Sequence, residues 1–283
     1  MKPNYMQLPI AAILLVAAFS ACAGPCNDPP AVSSSGFTIG AYDPATGSIT
    51  STSTTVSGGC TKTGGNTATY TVSAGQGLNF SGGSNRAKSG SNFINYSVTT
   101  DLGCSLVWNT VNVFTFSFAA SGSQSKTYYG CVPAGQYVAA LTYSDTVTMT
   151  TNNGGVISTS AFPVSITVAP KCILSTGPGT IAFGTYTAFA AVSSSNNTTF
   201  ATTCNNLLPY SMALDATSGV VVGLNYSLAI NTTSTGGSGT LNSNGTGAVQ
   251  SFFINGVIAA GQAGTCASGS CSGTAARTLT ITY

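Results

Sequence analysis

The sequence has 283 residues, a formal net charge of +2 and charged side chains at only 4% of its positions, far below the roughly 25% of ordinary soluble domains. This composition offers no basic stripe for nucleic acid. It also contains no histidine and no glutamate. Acid–base catalysis usually needs a histidine or paired carboxylates, so this composition argues against an enzyme.

The first residues predict an export signal. Lys2 supplies a positive start, an apolar run follows at residues 10–19, and small residues lead up to Ala23. Such a pattern is typical of a secretory signal peptide, so residues 1–23 are expected to be removed. An alternative reading is a lipoprotein processing site at Cys22.

Either cleavage removes Cys22 from the disulfide count and leaves eight cysteines, an even number that behind an export signal predicts disulfides formed in an oxidising compartment. No histidine and no pair of Cys-x-x-Cys motifs is present to build a zinc site, and we expect no metal and no cofactor. The cysteines expected in disulfides are Cys26, Cys60, Cys104, Cys131, Cys172, Cys204, Cys266 and Cys271.

Along the chain, short segments alternate apolar residues with Thr, Ser or Asn, which indicates strands with one buried face. Turns rich in Gly, Asn and Ser, at residues 81–85 and 235–239, punctuate them. No long segment has the apolar stripe of an amphipathic helix. The sequence therefore predicts an all-β protein built of packed antiparallel sheets. The clearest strands are residues 68–72, 93–98, 111–118 and 279–283.

An internal repeat predicts two domains of the same fold. Cys26 and Cys172 are each followed eleven residues later by a phenylalanine, Phe37 and Phe183. Further matches follow in the same order, which places a domain boundary near residues 169–170. The expected domains are residues 24–169 and 170–283. The further matches are Cys60 with Cys204, residues 95–98 with 225–228, 132–136 with 258–262, and 146–150 with 278–282.

The repeat also predicts disulfide partners. The first two cysteines of each copy would form equivalent bridges, and one further bridge would be particular to each domain. The sequence leaves other pairings open. The predicted pairs are Cys26–Cys60, Cys172–Cys204, Cys104–Cys131 and Cys266–Cys271.

The two copies differ at their C-terminal ends. The first continues past its last matching strand into residues 156–168, whose alternation predicts one more strand that completes the sandwich. The second ends at Tyr283, within the matching strand. We therefore expect it to lack its final strand and to leave an open edge and an apolar groove. An extended segment of another chain could fill such a groove. The alternatives are a second domain that closes with fewer strands, or residues 156–168 as a linker.

Two sets of candidate site residues follow. The groove would be lined by Ile181 and Phe183 on one side and by Leu279, Ile281 and Tyr283 on the other, unless these are ordinary core residues. A candidate adhesive loop holds Leu102, Leu106, Val107 and Trp108; here the alternative is buried packing. The loop at residues 81–91, with Arg86 and Lys88, is an alternative contact site.

The repeated motifs resemble the spore coat protein U domain family, which includes subunits of archaic chaperone–usher pili. The resemblance is carried by the Cys172, Phe183-Gly184-Thr185-Tyr186 and Cys204 spacing, by the Asn225-Tyr226-Ser227-Leu228 strand, and by Val107-Trp108 in the first copy. The second copy departs from the family in lacking a tryptophan after its Tyr226 strand, and the first in its long polar insertions.

The resemblance implies immunoglobulin-like sandwiches, each completed by the N-terminal extension of a neighbouring subunit. Only Gly24 and Pro25 precede Cys26, so this chain is expected to accept a strand but not to donate one. That expectation predicts a tip adhesin exported through the periplasm to the cell surface. Its implied partners are a periplasmic chaperone, an outer-membrane usher, an adjacent pilin and a surface or glycan receptor. The alternatives are a structural pilus or coat subunit and a freestanding secreted carbohydrate-binding module.

Overall fold

The computed structural model describes Cys26 and residues 30–62, 64–267 and 269–283, so the predicted signal sequence lies outside the described residues. The described chain consists of eighteen strands and one short 3-10 helix, Pro44–Thr46. This confirms the all-β prediction. Within the same residues, no helix is long and apolar enough to cross a membrane.

The first ten strands form a two-layer sandwich, the first unit. One layer has the order β1-β3-β8-β6 and the other β7-β4-β9-β10-β2, while β5 connects β6 to β9. Neighbours are antiparallel except β10 and β2, which run parallel. The strands are β1 Val32–Ser34, β2 Phe37–Tyr42, β3 Thr50–Cys60, β4 Ala68–Gly77, β5 Asn85–Ser89, β6 Asn92–Thr99, β7 Phe114–Phe118, β8 Gly122–Val132, β9 Thr142–Asn153 and β10 Val156–Val168.

The remaining strands form a second, smaller unit with two sheets. Their orders are β11-β12-β17-β15-β14 and β16-β13-β18, and all neighbours are antiparallel. The strands are β11 Cys172–Thr176, β12 Ser194–Cys204, β13 Pro209–Leu214, β14 Ser218–Val221, β15 Leu224–Asn231, β16 Thr240–Asn244, β17 Val249–Ile258 and β18 Leu279–Thr282.

The two units share most of their strand order. The order β11-β12-β17-β15 reproduces β1-β3-β8-β6, and β16-β13-β18 reproduces β7-β4-β9. Two strands of the first unit have no counterpart among the described residues of the second. These are β2 and β10, which pair with each other. The difference that the sequence predicts at the end of the repeat is thus a difference of two adjacent strands.

Each unit has its own apolar core, produced by the two-residue alternation of its strands. On β9, for example, Tyr143, Val147 and Met149 are completely buried while their neighbours face outward. The second core is smaller and centres on Phe200 and Phe252, whose rings stack 5.5 Å apart. Each such buried side chain contributes about 1.5–3 kcal/mol relative to an exposed one.

The eight cysteines form four disulfides in the pairs that the repeat predicts. Cys172 and Cys204 lie directly opposite each other across β11 and β12, so that bridge ties the first strand of the second unit to its neighbour. The four pairs are Cys26–Cys60, Cys104–Cys131, Cys172–Cys204 and Cys266–Cys271.

A hydrogen-bonded clamp near the end of β2 shows how closely the repeat is kept. In the first unit the Tyr42 hydroxyl donates to the Pro133 carbonyl (2.7 Å) and accepts from the Gln136 amide (2.9 Å). The Gln136 side chain in turn accepts from the Asn95 amide (2.8 Å) and donates to the Asn95 carbonyl (3.0 Å).

The second unit contains the same clamp with the same atoms. The Tyr186 hydroxyl donates to the Ala259 carbonyl (2.8 Å), and the Gln262 side chain bridges to Asn225 in both directions (2.7 and 2.9 Å). Tyr186 therefore occupies the place of Tyr42. The chain following β11 is held in the position of β2 even though it forms no strand.

Polar contacts join the two units. The Lys171 ammonium and the Asp43 carboxylate lie 2.9 Å apart, and this hydrogen bond lowers the pKa of Asp43. The Asn205 side chain donates to the Val138 carbonyl at 2.7 Å. Because Lys171 and Asp43 are each about a third exposed, solvent screens the ion pair and its contribution to stability is small.

Candidate functional site

The candidate site is the free edge of β18. On one side β18 pairs with β13, from Ser211–Thr282 to Leu214–Leu279. On its other side no strand is present among the residues that the structure describes. The corresponding strand of the first unit, β9, has β4 on one side and β10 along nearly its whole length on the other.

The opposite border of this gap is the segment that takes the place of β2. In the first unit β2 has β10 as its strand partner, in the parallel orientation. In the second unit residues 177–193 form no strand, although they are held beside β12. The Ser194 hydroxyl donates to the Phe183 carbonyl (2.9 Å), and the Gly179 amide donates to the Thr198 hydroxyl (2.9 Å). The space between this segment and β18 is the space that β10 fills in the first unit.

Burial on the β18 side reflects the missing neighbour. Val147 and Met149 of β9, which has β10 as its neighbour, are 0% exposed. Their counterparts Leu279 and Ile281 pack against the second core but are only half-buried. Tyr283, which follows β18, is 52% exposed and lies at the rim of an open cavity of about 460 Å³.

The segment side shows the same contrast. Phe37 is 5% exposed and covers Gly130, where an added Cβ would collide with its ring. Phe183 covers Gly256 in the same way but is only half-buried, as is Ile181 beside it. Ile181 and Phe183 thus lie on one border of this space and Leu279, Ile281 and Tyr283 on the other, and their contact with a donor strand stays a prediction.

Residues 146–150 of the first unit match residues 278–282 of the second, and the residue just before this strand differs in charge between the units. In the first unit it is Asp145, which is 6% exposed and lies opposite Val164 of the neighbouring strand β10. Its carboxylate accepts hydrogen bonds from the Tyr96 hydroxyl (2.6 Å) and the Leu78 amide (3.0 Å). Burial, followed by the hydrogen bond to Asp145, raises the pKa of Tyr96 far above its ordinary value.

In the second unit the corresponding residue is Arg277, and the corresponding tyrosine is Tyr226. The Arg277 guanidinium lies 5.4 Å from the centre of the Tyr226 ring and donates to the Ser218 carbonyl at 3.2 Å. The Tyr226 hydroxyl is buried without a hydrogen-bond partner. Neither residue was predicted from the sequence, although the alignment of residues 146–150 with 278–282 already places Arg277 opposite Asp145.

A glycine packs against each pair of side chains, but Gly77 lies on β4 and Gly219 on β14, which are not equivalent strands. A Cβ on Gly77 would collide with the Asp145 carboxylate and the Tyr96 hydroxyl, and a Cβ on Gly219 would collide with the Arg277 guanidinium and the Tyr226 hydroxyl. The equivalence of Asp145 and Arg277 rests on their matching places before residues 146–150 and 278–282 and on the equivalent tyrosine that each one contacts.

The candidate adhesive loop follows β6 in the first unit. The Asp101 carboxylate accepts hydrogen bonds from the Leu106 amide (2.7 Å) and the Ser105 hydroxyl (2.8 Å), and the first of these lowers the pKa of Asp101. Together with the Cys104–Cys131 bridge, these contacts hold the loop in one shape. Apolar side chains project from it: Leu102, Leu106, Val107 and Val111 are 68%, 51%, 44% and 81% exposed.

Trp108 does not belong to this exposed set, and its assignment to the adhesive loop is wrong. It is 1% exposed, and its ring stacks against Phe162 of β10 with 6.2 Å between centroids. Its indole N–H donates to the Val72 carbonyl at 2.9 Å. The buried alternative therefore holds, because a large aromatic ring with a satisfied donor is most stable in the core.

The alternative contact loop carries two cations on the hairpin of β5 and β6. The Arg86 guanidinium lies 4.4 Å above the Phe93 ring and the Lys88 ammonium lies 5.9 Å from it. Arg86 also donates to the Asn79 carbonyl at 2.9 Å. These contacts engage both cations within the protein.

The Spore Coat Protein U domain model matches residues 15–150 and 158–276 of the chain. No curated protein sequence matches this chain significantly. Among solved structures, the chain is similar to the complex of the CsuC chaperone with the CsuE tip adhesion subunit from archaic chaperone–usher Csu pili of Acinetobacter baumannii. That match has 15% identity and a TM-score of 0.48, and covers 89% of this chain and 100% of that one. The CupB6 tip adhesin from Pseudomonas aeruginosa matches with 12% identity and a TM-score of 0.39, over 92% of this chain and 96% of that one.

Proposed function

The chain belongs to the Spore Coat Protein U domain family, and from that premise we propose that it is the tip adhesin of a chaperone–usher pilus. It is a structural and adhesive protein rather than an enzyme. In this proposal residues 170–283 form a pilin-like domain that accepts a strand, and residues 24–169 form the domain that meets the target. The partners are a periplasmic chaperone, an outer-membrane usher and an adjacent pilin.

The observation that carries the proposal is the unpaired edge of β18. An exposed edge beside half-buried apolar side chains is unfavourable in water, because its N–H and C=O groups and its apolar surface both seek partners. A strand from a chaperone or from the next pilin would satisfy them by β-augmentation, the mode by which pilins assemble. The parallel pairing of β10 with β2 provides a template for such a strand within the same molecule.

The first unit supports a position at the end of the fibre. Its own strand β10 already fills the place between β9 and β2. A unit that is complete in this way offers no groove to a further subunit. Growth of the fibre would therefore stop there, and the first unit would be the part that faces the target surface.

We propose that the apolar side chains of the loop after β6 make the adhesive contact with a surface. Replacing Leu106 and Val111 by serine is expected to reduce attachment to an apolar surface at least about fivefold, because each loses a contact of order 1 kcal/mol. The melting temperature should stay within about 2 °C, since both side chains are exposed. Attachment of pili carrying each variant, with a melting curve, measures both effects.

Trp108→Ala is the contrasting variant on the same loop. It is expected to lower the free energy of unfolding by about 3–5 kcal/mol, because a fully packed aromatic side chain is lost. If the serine variants attached as well as the original protein, another surface would be the adhesive one. The serine variants could also melt normally, attach unchanged to glycan-coated surfaces and attach more weakly to apolar ones. This result would support a target that is not a glycan.

Immunogold labelling of the chain on assembled pili tests the proposed function. We expect gold particles singly at the free ends of fibres. Labelling along the fibre would indicate a structural subunit instead. Secretion of the chain with no fibre association would indicate a freestanding carbohydrate-binding module.

A further inference from the structure

We propose that the strand which fills the groove of the second unit carries a carboxylate opposite Arg277, and that this carboxylate binds both the Arg277 guanidinium and the Tyr226 hydroxyl. The inference rests on the proposed function, because it specifies the chemistry of the strand that the groove accepts. Its basis is the exchange of an acidic residue in the first unit for a basic one in the second.

In the first unit the network is complete. The Asp145 carboxylate accepts the Tyr96 hydroxyl hydrogen bond beneath β10, and both side chains are more than nine-tenths buried. The residue of β10 that pairs with Asp145 is Val164, an apolar residue that is also buried. No charge from the covering strand is needed there, because the acceptor is supplied by β9 itself.

In the second unit the acceptor is missing. Tyr226 is 6% exposed, and its buried hydroxyl has no hydrogen-bond partner. A buried hydroxyl without a partner costs free energy, so a ligand that supplies an acceptor would be favoured. Arg277 can only donate, so it does not provide one.

Arg277 adds a charge that also requires an acid. Among the described residues one ion pair is formed, between Lys171 and Asp43, so Arg277 has no acidic partner there. The nearby Asp215 carboxylate instead accepts the backbone N–H groups of Ala216 and Thr278. Arg277 is now exposed. A strand placed like β10 would bury it as β10 buries Asp145, and an unpaired buried charge is strongly unfavourable.

A carboxylate on the incoming strand resolves both deficits. Residues directly opposite in an antiparallel pair have Cβ atoms about 4.5–5.5 Å apart, which is within reach of an acidic side chain and an arginine. Charge-assisted hydrogen bonds of this kind are about twice as strong as neutral ones. The groove would thereby select a strand of alternating apolar residues with one acid at a defined position.

The test uses an extended chain, defined as residues 24–283 followed directly by a copy of residues 152–168. Tyr283 corresponds to Thr151, so the copy continues the chain in the register of the first unit and its Val164 equivalent faces Arg277. Val164→Glu in the copy is expected to raise the melting temperature of the second unit by about 3–6 °C. With Arg277→Gln present, the same change should lower it.

Ala161→Glu in the copy is the matched control, because Ala161 faces outward from β10. It adds the same charge without reaching Arg277 and should leave the melting temperature nearly unchanged. Asp215→Asn keeps the hydrogen-bond acceptor and removes the charge. The coupling between Glu and Arg277 should survive it, whereas loss of the coupling would show that Asp215 is involved and would overturn the proposal.

Failures of the two ideas can be distinguished. If the unmodified copy stabilises the second unit but Val164→Glu shows no coupling with Arg277, the carboxylate proposal is wrong and the open groove stands. If no copy has any effect, the groove itself is wrong. A second test within the natural fold is Asp145→Arg, which should destabilise the first unit, and Val164→Glu added to it, which should recover most of the loss.

Discussion

Addition of residues 152–168 after Tyr283 is expected to give a monomer that is soluble without a chaperone and melts at least about 10 °C above the same chain with an appended strand that lacks the apolar side chains. The appended strand would bury the equivalents of Phe162, Val164 and Ile166, all nearly fully buried in β10. Each contributes about 1.5–3 kcal/mol, and each kcal/mol moves the melting temperature of a protein this size by about 2–4 °C.

The control is an appended strand of the same length in which those three residues are replaced by serine. It keeps the backbone hydrogen bonds but removes the apolar contacts, so most of the gain should disappear. Equal melting temperatures for the chains with the apolar and the serine strand would mean that the second unit has no apolar groove for the strand to fill.

Phe162→Ala should lower the stability of the first unit by about 3–5 kcal/mol. Phe162 is 1% exposed, and its ring lies 5.2 Å from Tyr128 and 6.2 Å from Trp108. The side chain joins β10 to the aromatic rings of the core. Its loss leaves a cavity that the surrounding rings cannot fill without rearrangement.

Tryptophan fluorescence measures this loss directly, because Trp108 is the single tryptophan of the chain and lies in the first unit. Urea unfolding followed at this signal reports the first unit alone. Phe80→Ala is the control, since Phe80 is 37% exposed and its truncation should cost less than about 0.5 kcal/mol. A Phe162→Ala variant as stable as this control would mean that β10 does not complete the first unit.

Local alternation and the repeat predicted a part of the strand framework, including β4, β6, β10 and β18. β10 and β18 were both foreseen, because a buried face imposes a two-residue period that is visible in the sequence. The strand predicted at residues 111–118 begins only at Phe114. The Asn109 side chain accepts the Val111 amide (2.8 Å) and the Asn112 amide (3.0 Å), which makes a turn where the apolar residues suggested a strand.

Contacts between distant segments were not predictable in the same way. Tyr96 and Asp145 are 49 residues apart, and nothing in their separate neighbourhoods indicates that one is the acceptor of the other. The burial of Trp108 likewise depends on Phe162 of a later strand. The sequence alignment already places Arg277 opposite Asp145, but only the structure shows that Asp145 is the acceptor for Tyr96 and that the Tyr226 hydroxyl has no such acceptor.

The most direct test of the central claim, that the second unit has an unfilled groove, is the state of the mature chain in the periplasm. Residues 24–283 would be expressed with and without the pilus chaperone and examined by size exclusion with native mass spectrometry. We expect recovery only as a 1:1 complex with the chaperone, and aggregation or degradation in its absence. A stable monomer obtained without chaperone, with the backbone amides of β18 protected from hydrogen exchange, would contradict it.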